Sequence, residues 1–242
     1  MKFRLLLCAL LFSMVESLTS QALAQPQLIT SREALGASDT IDWGQLGPQS
    51  TNFPNPVMVM SIGGVEATVS QLSGTGTRID QNTITGFVGN FTLNDRLYYT
   101  GNVYGAQNLG PISVIFDFPV YGVGTQIVPN YRTPSSGNFV ASITAYNTAG
   151  QILGTFTEDG EYNGAQDGSA IFIGISNSEA NIARIEFGLT EAPLSIGDFT
   201  INQISFATTP IPEPSCLMAV ALITSCGAGW LRYRCRLTKR CT

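Results

Sequence analysis

The 242-residue chain has no histidine, five cysteines and a formal net charge of −5. The missing histidine excludes Ser-His-Asp and Cys-His catalysis and imidazole-ligated metal centres. The cysteines all fall in the two terminal segments, so the interval 25–211 has no disulfide framework and no thiol nucleophile. That interval carries five arginines, no lysine and fifteen carboxylates, a net charge of −10. Such an acidic body argues against nucleic acid as a partner, because phosphate binding needs a basic face.

The chain begins with Lys2 and Arg4, an apolar stretch Leu5–Met14, and the small-residue sequence Ala22-Leu23-Ala24. This order predicts a secretory signal peptide over residues 1–24, cut after Ala22 and Ala24 so that the mature chain starts at Gln25. The apolar stretch is too short to span a bilayer comfortably.

Residues 25–207 are predicted to form a single all-β domain, an antiparallel β-sandwich or jelly roll, long enough for one core. Ser31–Leu35 is predicted as one short helical turn. Strands are expected at Val57–Ile62, Val65–Leu72, Ile84–Phe91, Arg96–Asn102, Ile112–Phe118, Phe139–Tyr146, Ile152–Phe156, Ile171–Ile175 and Ala183–Phe187. In the clearest of them apolar residues recur every second position. Phe199 and Ile201 share one parity and Ile204 and Phe206 the other, so a β-bulge at Asn202-Gln203 is needed to give them a common face. Turn chemistry separates the strands at Gly63-Gly64, Asn147–Gly150, Asp159-Gly160 and Asp167-Gly168.

Three sets of residues in the body could carry function. Glu158, Asp159, Glu161 and Asp167 cluster in what reads as a Gly-rich connection. Hard oxygen ligands on such a loop suit calcium, although no EF-hand spacing is present. No other metal or cofactor is expected. Asp39, Asp42 and Asp117 have no partner in sequence, and a pair of facing acids is what a glycosidase requires. Trp43, Tyr98, Tyr99, Tyr104, Tyr121, Tyr131 and Tyr162 offer rings for stacking on sugars. The competing reading places Trp43 and Tyr146 in the core and the loop tyrosines over sheet edges. Asn90-Phe91-Thr92 has the form of a glycosylation sequon.

After a proline-rich spacer, Thr208–Pro214, come three parts in order. They are Pro212-Glu213-Pro214, an uncharged apolar run Cys216–Leu231, and a basic end with Arg232, Arg234, Arg236, Lys239 and Arg240. The run, residues 216–231, is predicted as a transmembrane-like helix, extended by snorkelling arginines and oriented with its positive end in the cytoplasm. These three parts resemble the PEP-CTERM sorting signal of bacterial exported proteins, also catalogued as an ice-binding protein C-terminal domain. The resemblance covers about residues 210–240. It implies an exosortase partner that cuts near Pro212, Glu213 and Pro214, after transient anchoring by the apolar run with Arg232, Arg234 and Arg236 as the stop. The logic is that of a removable anchor signal. The stretch Phe139–Phe206 also resembles, more loosely, the β-sandwich domains that precede such tails, some of them lectin-like.

The expected protein is therefore exported to the cell envelope or extracellular matrix, structural or adhesive, and not an enzyme. The alternative is a lectin-like carbohydrate-binding module, with extracellular polysaccharide as partner. A glycan hydrolase is the third reading.

Overall fold

Period-two alternation builds most of this molecule. In Gly137–Tyr146 the residues Phe139, Ala141, Ile143 and Ala145 are buried and those between them are not, as a strand with one face on a core requires. The computed structural model describes residues 25–211, apart from 73, 83, 102–110, 131–135 and 193–197. The signal-peptide residues with Ala22 and Ala24, the motif Pro212–Pro214, the run 216–231 and Arg232, Arg234 and Arg236 lie outside the described residues. Among the described residues no helix is long and apolar enough to cross a membrane.

The strands are β1 (Gln27–Ile29), β2 (Asp39–Ile41), β3 (Thr51–Phe53), β4 (Val57–Met60), β5 (Glu66–Gln71), β6 (Gly76–Asp80), β7 (Arg96–Tyr99) and β8 (Ile112–Val120). They continue as β9 (Gly122–Pro129), β10 (Gly137–Tyr146), β11 (Ile152–Tyr162), β12 (Ile171–Ser176), β13 (Ile182–Glu191), β14 (Phe199–Ile201) and β15 (Ile204–Ala207). A helical turn, α1, spans Arg32–Leu35, and a 3-10 turn spans Trp43–Leu46. Ser31 caps α1 by accepting the Ala34 N–H, and Gly36 ends it in the left-handed region at φ 57°.

One sheet has the order β1-β12-β9-β14-β7-β6-β3, with β15 continuing beside β9 and β2 beyond it; the other runs β11-β10-β13-β8-β5-β4. Neighbouring named strands are antiparallel. The two sheets face each other as a β-sandwich. Phe116 of β8 meets Phe206 of β15 with ring centroids 5.2 Å apart, and the Tyr98 hydroxyl donates to Gln71 Oε1 across the core at 3.0 Å. The described strands belong to one compact unit that ends at Pro210.

The predicted bulge is present. Ile201 pairs with Ile127 and Ser205 with Gly124, four residues against three, so Asn202-Gln203 holds the extra residue. Phe199, Ile201, Ile204 and Phe206 are all fully buried as a result.

Two features depart from the expected half-buried strands. No named strand forms over Ile84–Phe91. Asn82 Oδ1 accepts the N–H groups of Ile84, Thr85 and Gly86 at 2.9 to 3.0 Å. This local turn competes with ladder pairing. The segment instead delivers Phe87 and Phe91 to the outer face of the first sheet. Tyr98 points inward, so Tyr99 points outward, and the Phe87 ring lies 6.1 Å from that of Tyr99. The central strands β9, β14 and β15 are consequently buried on both faces, including Thr125, Thr200 and Ser205.

Close packing there depends on Gly124. A Cβ at this position would stand 2.5 Å from the Phe172 ring and 2.8 Å from Gly174 Cα. Gly124→Ala is expected to cost about 1–3 kcal/mol by overpacking, measurable as a lower urea midpoint at unchanged slope.

Candidate functional site

The predicted sugar-stacking aromatics are mostly interior. Trp43 and Tyr98 are fully buried and meet edge-to-face at 5.1 Å. The indole N–H donates to the Asn202 carbonyl at 2.7 Å. Tyr99 and Tyr162 are buried and Tyr121 is half-buried; Tyr104 and Tyr131 lie outside the described residues. These aromatics are large apolar surfaces set on core-facing positions, and among the described ones no exposed ring platform results. Tyr146, expected in the core, sits on the outer side of β10, where Arg184 covers its ring at 3.7 Å and its hydroxyl donates to Glu186 at 2.7 Å. The hydrogen bond to Glu186 is the main reason its acidity falls, raising its pKa.

The expected calcium loop is also corrected. Glu158, Asp159 and Glu161 belong to strand β11, whose alternation sends them to opposite faces. Asp167 lies apart in a turn where it accepts the Ser169 N–H at 3.0 Å. Hydrogen bonds from Ser169 hold its carboxyl below the usual range. Among the described residues no group of three or more His, Cys, Asp or Glu is arranged to hold a metal. Asp39 caps a turn by accepting from Ser61 and the Gly63 N–H. Asp42 caps the 3-10 turn and pairs with Arg96 at 3.2 Å.

What the fold does bring together is an open cleft of about 690 Å³ at one end of the sandwich. Its lining includes Asn138, Val140, Asp159, Glu161, Asn163 and Glu191. Strand register sets their spacing. Val140 pairs with Asp159 on one side and with Glu191 on the other. The two acids therefore flank it roughly 9–10 Å apart at two strand spacings. Glu161 lies opposite Asn138 in the next row of the same face. Gly160 makes room here, since a Cβ would be 2.3 Å from the Phe139 ring.

Asn90 holds the rim. It is 1% exposed. Its amide donates to Asn163 Oδ1 and Ser169 Oγ, both at 2.9 Å, and its carbonyl accepts the N–H groups of Asn163 and Gly164 at 3.1 Å. All its polar capacity is thus used within the fold, which accounts for an asparagine in a buried loop and leaves the sequon closed. Asn90→Ala is expected to destabilise the protein by about 2–3 kcal/mol, because two buried backbone N–H groups lose their acceptor; hydrogen exchange at Asn163 and Gly164 would report it.

The electrostatics of the cleft are one-sided. Arg78 pairs with Asp80, Arg96 with Asp42 and Arg184 with Glu186. Arg32 bonds Ser205 and Asn202. None of these arginines lines the cleft, and Asp159, Glu161 and Glu191 have no ion pair among the described residues.

A smaller niche of about 190 Å³, lined by Asp42, Asn94, Asp95, Arg96, Asn202 and Gln203, is tied up internally. Asn202 Nδ2 donates to Gln126 Oε1 at 2.6 Å and its Oδ1 accepts from Arg32. Burial raises the Asp95 pKa and lowers that of Arg32.

Fold and site together define a β-sandwich with an open cleft lined by acids and amides. No family model matches the chain, and no curated protein matches it. Among solved structures it is similar to a DUF4465 family protein from Bacteroides caccae, at 13% identity over 71% of this chain and 100% of that one, with a TM-score of 0.39. It is also similar to CsCBM6-3 from Clostridium stercorarium in complex with cellobiose, at 13% identity over 72% and 95%, with a TM-score of 0.24. A third is the C-terminal family 22 carbohydrate binding module of Clostridium thermocellum Xyn10B, at 10% identity over 74% and 98%, with a TM-score of 0.25. These scores are all below 0.5, so the functional argument rests on this chain's own geometry.

Proposed function

We propose that this chain is an exported glycan-binding module that acts by binding and performs no chemistry. The observation that carries the reading is the cleft: three exposed carboxylates beside amides, with Val140 and Ile171 as apolar patches, in a volume of about 690 Å³. That size lies within the range of small-ligand clefts, roughly 300–1,000 Å³. Sugar hydroxyls donate to carboxylates and accept from amides, and the less polar faces of the rings cover Val140 and Ile171. Carboxylate acceptors form the stronger hydrogen bonds.

The test is calorimetric titration of the full-length chain in detergent with a panel of oligosaccharides, followed by the triple variant D159N/E161Q/E191Q. The variant keeps the side-chain shapes and is expected to bind at least ~10-fold more weakly, since hydrogen bonds to charged groups contribute about 1.5–3 kcal/mol each. Unchanged affinity, or no binding to any member of the panel, refutes the reading.

The resemblance of Pro212-Glu213-Pro214, the run 216–231 and Arg232, Arg234 and Arg236 to a PEP-CTERM signal supports delivery to the envelope or extracellular matrix by an exosortase. Expression with and without an exosortase, followed by mass measurement of the exported product, tests this. A product that keeps its tail in both hosts refutes processing.

A further inference from the structure

We propose that the cleft selects glycans carrying a protonated amine, such as polymers of unacetylated 2-amino sugars, over neutral glycans and over uronates. The inference rests on the glycan-binding reading and adds the charge class of the ligand. Its basis is the arrangement of charge in the cleft. Asp159 and Glu161 project from the same face of β11, two residues apart, and Glu191 stands beyond Val140 on β13. Register therefore spreads three carboxylates over two rows and three strands, over a patch roughly 7 by 10 Å.

Neutral hydroxyls alone do not call for this charge. The amides of Asn138 and Asn163 supply both donors and acceptors. Three like charges at this spacing repel one another in the empty cleft. No arginine among Arg32, Arg78, Arg96 and Arg184 lines the cleft to compensate them. Other surface acids of the sandwich are treated differently: Asp42, Asp80 and Glu186 each hold an arginine. A ligand ammonium placed between Asp159 and Glu191 relieves the repulsion and forms charge-assisted hydrogen bonds. A uronate carboxylate in the same place adds a fourth negative charge and is rejected by like-charge juxtaposition. Because the carboxylates are exposed, the preference weakens as salt rises.

The experiment titrates the full-length chain with four tetrasaccharides of similar length: glucosamine, N-acetylglucosamine, glucose (cellotetraose) and galacturonate. The glucosamine tetramer is expected to bind ~10-fold or more tightly than its acetylated counterpart, the ratio expected when charge-assisted bonds replace neutral ones. The galacturonate tetramer is expected to bind weakest. The preference should shrink on raising NaCl and disappear in D159N/E161Q/E191Q. It should survive Asp117→Asn, which neutralises an exposed acid on β8 outside the cleft. Equal binding of the amino, acetylated and neutral tetramers, lost in the triple variant, overturns charge selection and leaves the glycan reading standing. Tightest binding by galacturonate overturns it in the same way. Binding of the amino tetramer that persists in the triple variant, or that falls equally in D117N, is ion exchange on an acidic surface and overturns the proposal. No binding by any tetramer overturns both readings.

Discussion

Phe206→Ala is expected to lower the unfolding free energy by about 3–5 kcal/mol, the usual cost of emptying a buried phenylalanine site. Phe206 is fully buried, pairs with Val123 in its own sheet and packs on Phe116 of the facing one. Its removal leaves a cavity between layers that are each held by ladder hydrogen bonds, so neither can easily collapse into it. For a domain of this size the midpoint of thermal unfolding should fall by roughly 10 °C. Phe118→Ala serves as the control, because Phe118 is 43% exposed; it should cost about 1 kcal/mol or less. If the two variants unfolded at the same temperature, the sheet-on-sheet packing described above would be wrong.

Asn202→Ala is expected to cost about 3–4 kcal/mol through a different mechanism. The side chain of this bulge residue accepts from Arg32 Nη2 and the Gln126 N–H, both at 3.1 Å, and donates to Gln126 Oε1 at 2.6 Å. Truncation strands a partly buried guanidinium, a backbone donor and a side-chain acceptor together, and each unsatisfied buried group costs about 1–3 kcal/mol. Arg32→Met combined with Asn202→Ala should be less damaging than the sum of the single changes by about 1 kcal/mol, since both remove the same contact. Strict additivity in chemical denaturation would refute the shared network.

Strands with one wet face were legible in the sequence. β8, β10 and β13 alternate cleanly because only one side of each meets the core, and the parity break between Ile201 and Ile204 was enough to locate the bulge. β9 was not legible. It contains Gly122, Gly124, Thr125 and Gln126, and burial on both faces removes the polar half of the alternation. The misread stretch Ile84–Phe91 shows the converse: Phe87 and Phe91 are spaced to plug a sheet face, and local pattern alone does not separate a plug from a strand.

The cleft was legible only as isolated acids. Asp159 and Glu161 were singled out, but as loop residues, because Gly160 between them resembled a turn. That glycine instead makes room for Phe139 within a ladder. Glu191, Asn138 and Asn163 carry no local signal. They become neighbours of Asp159 only through the register of β10 with β11 and β13, and register is a long-range property.

The pairing of β15 with β9 has a consequence for display. Ala207, the last strand residue, lies opposite Gly122, while the cleft sits toward the Pro129 end of the same strand, about 23 Å away at the usual rise per residue. Gln27 of β1 pairs with Ser176, again at the Gly122 end. The sandwich therefore receives and releases its backbone at one pole and opens its cleft at the other. A body tethered from its C-terminal side would hold the cleft outward, clear of its support, in the orientation of a hand extended from the wall rather than pressed against it.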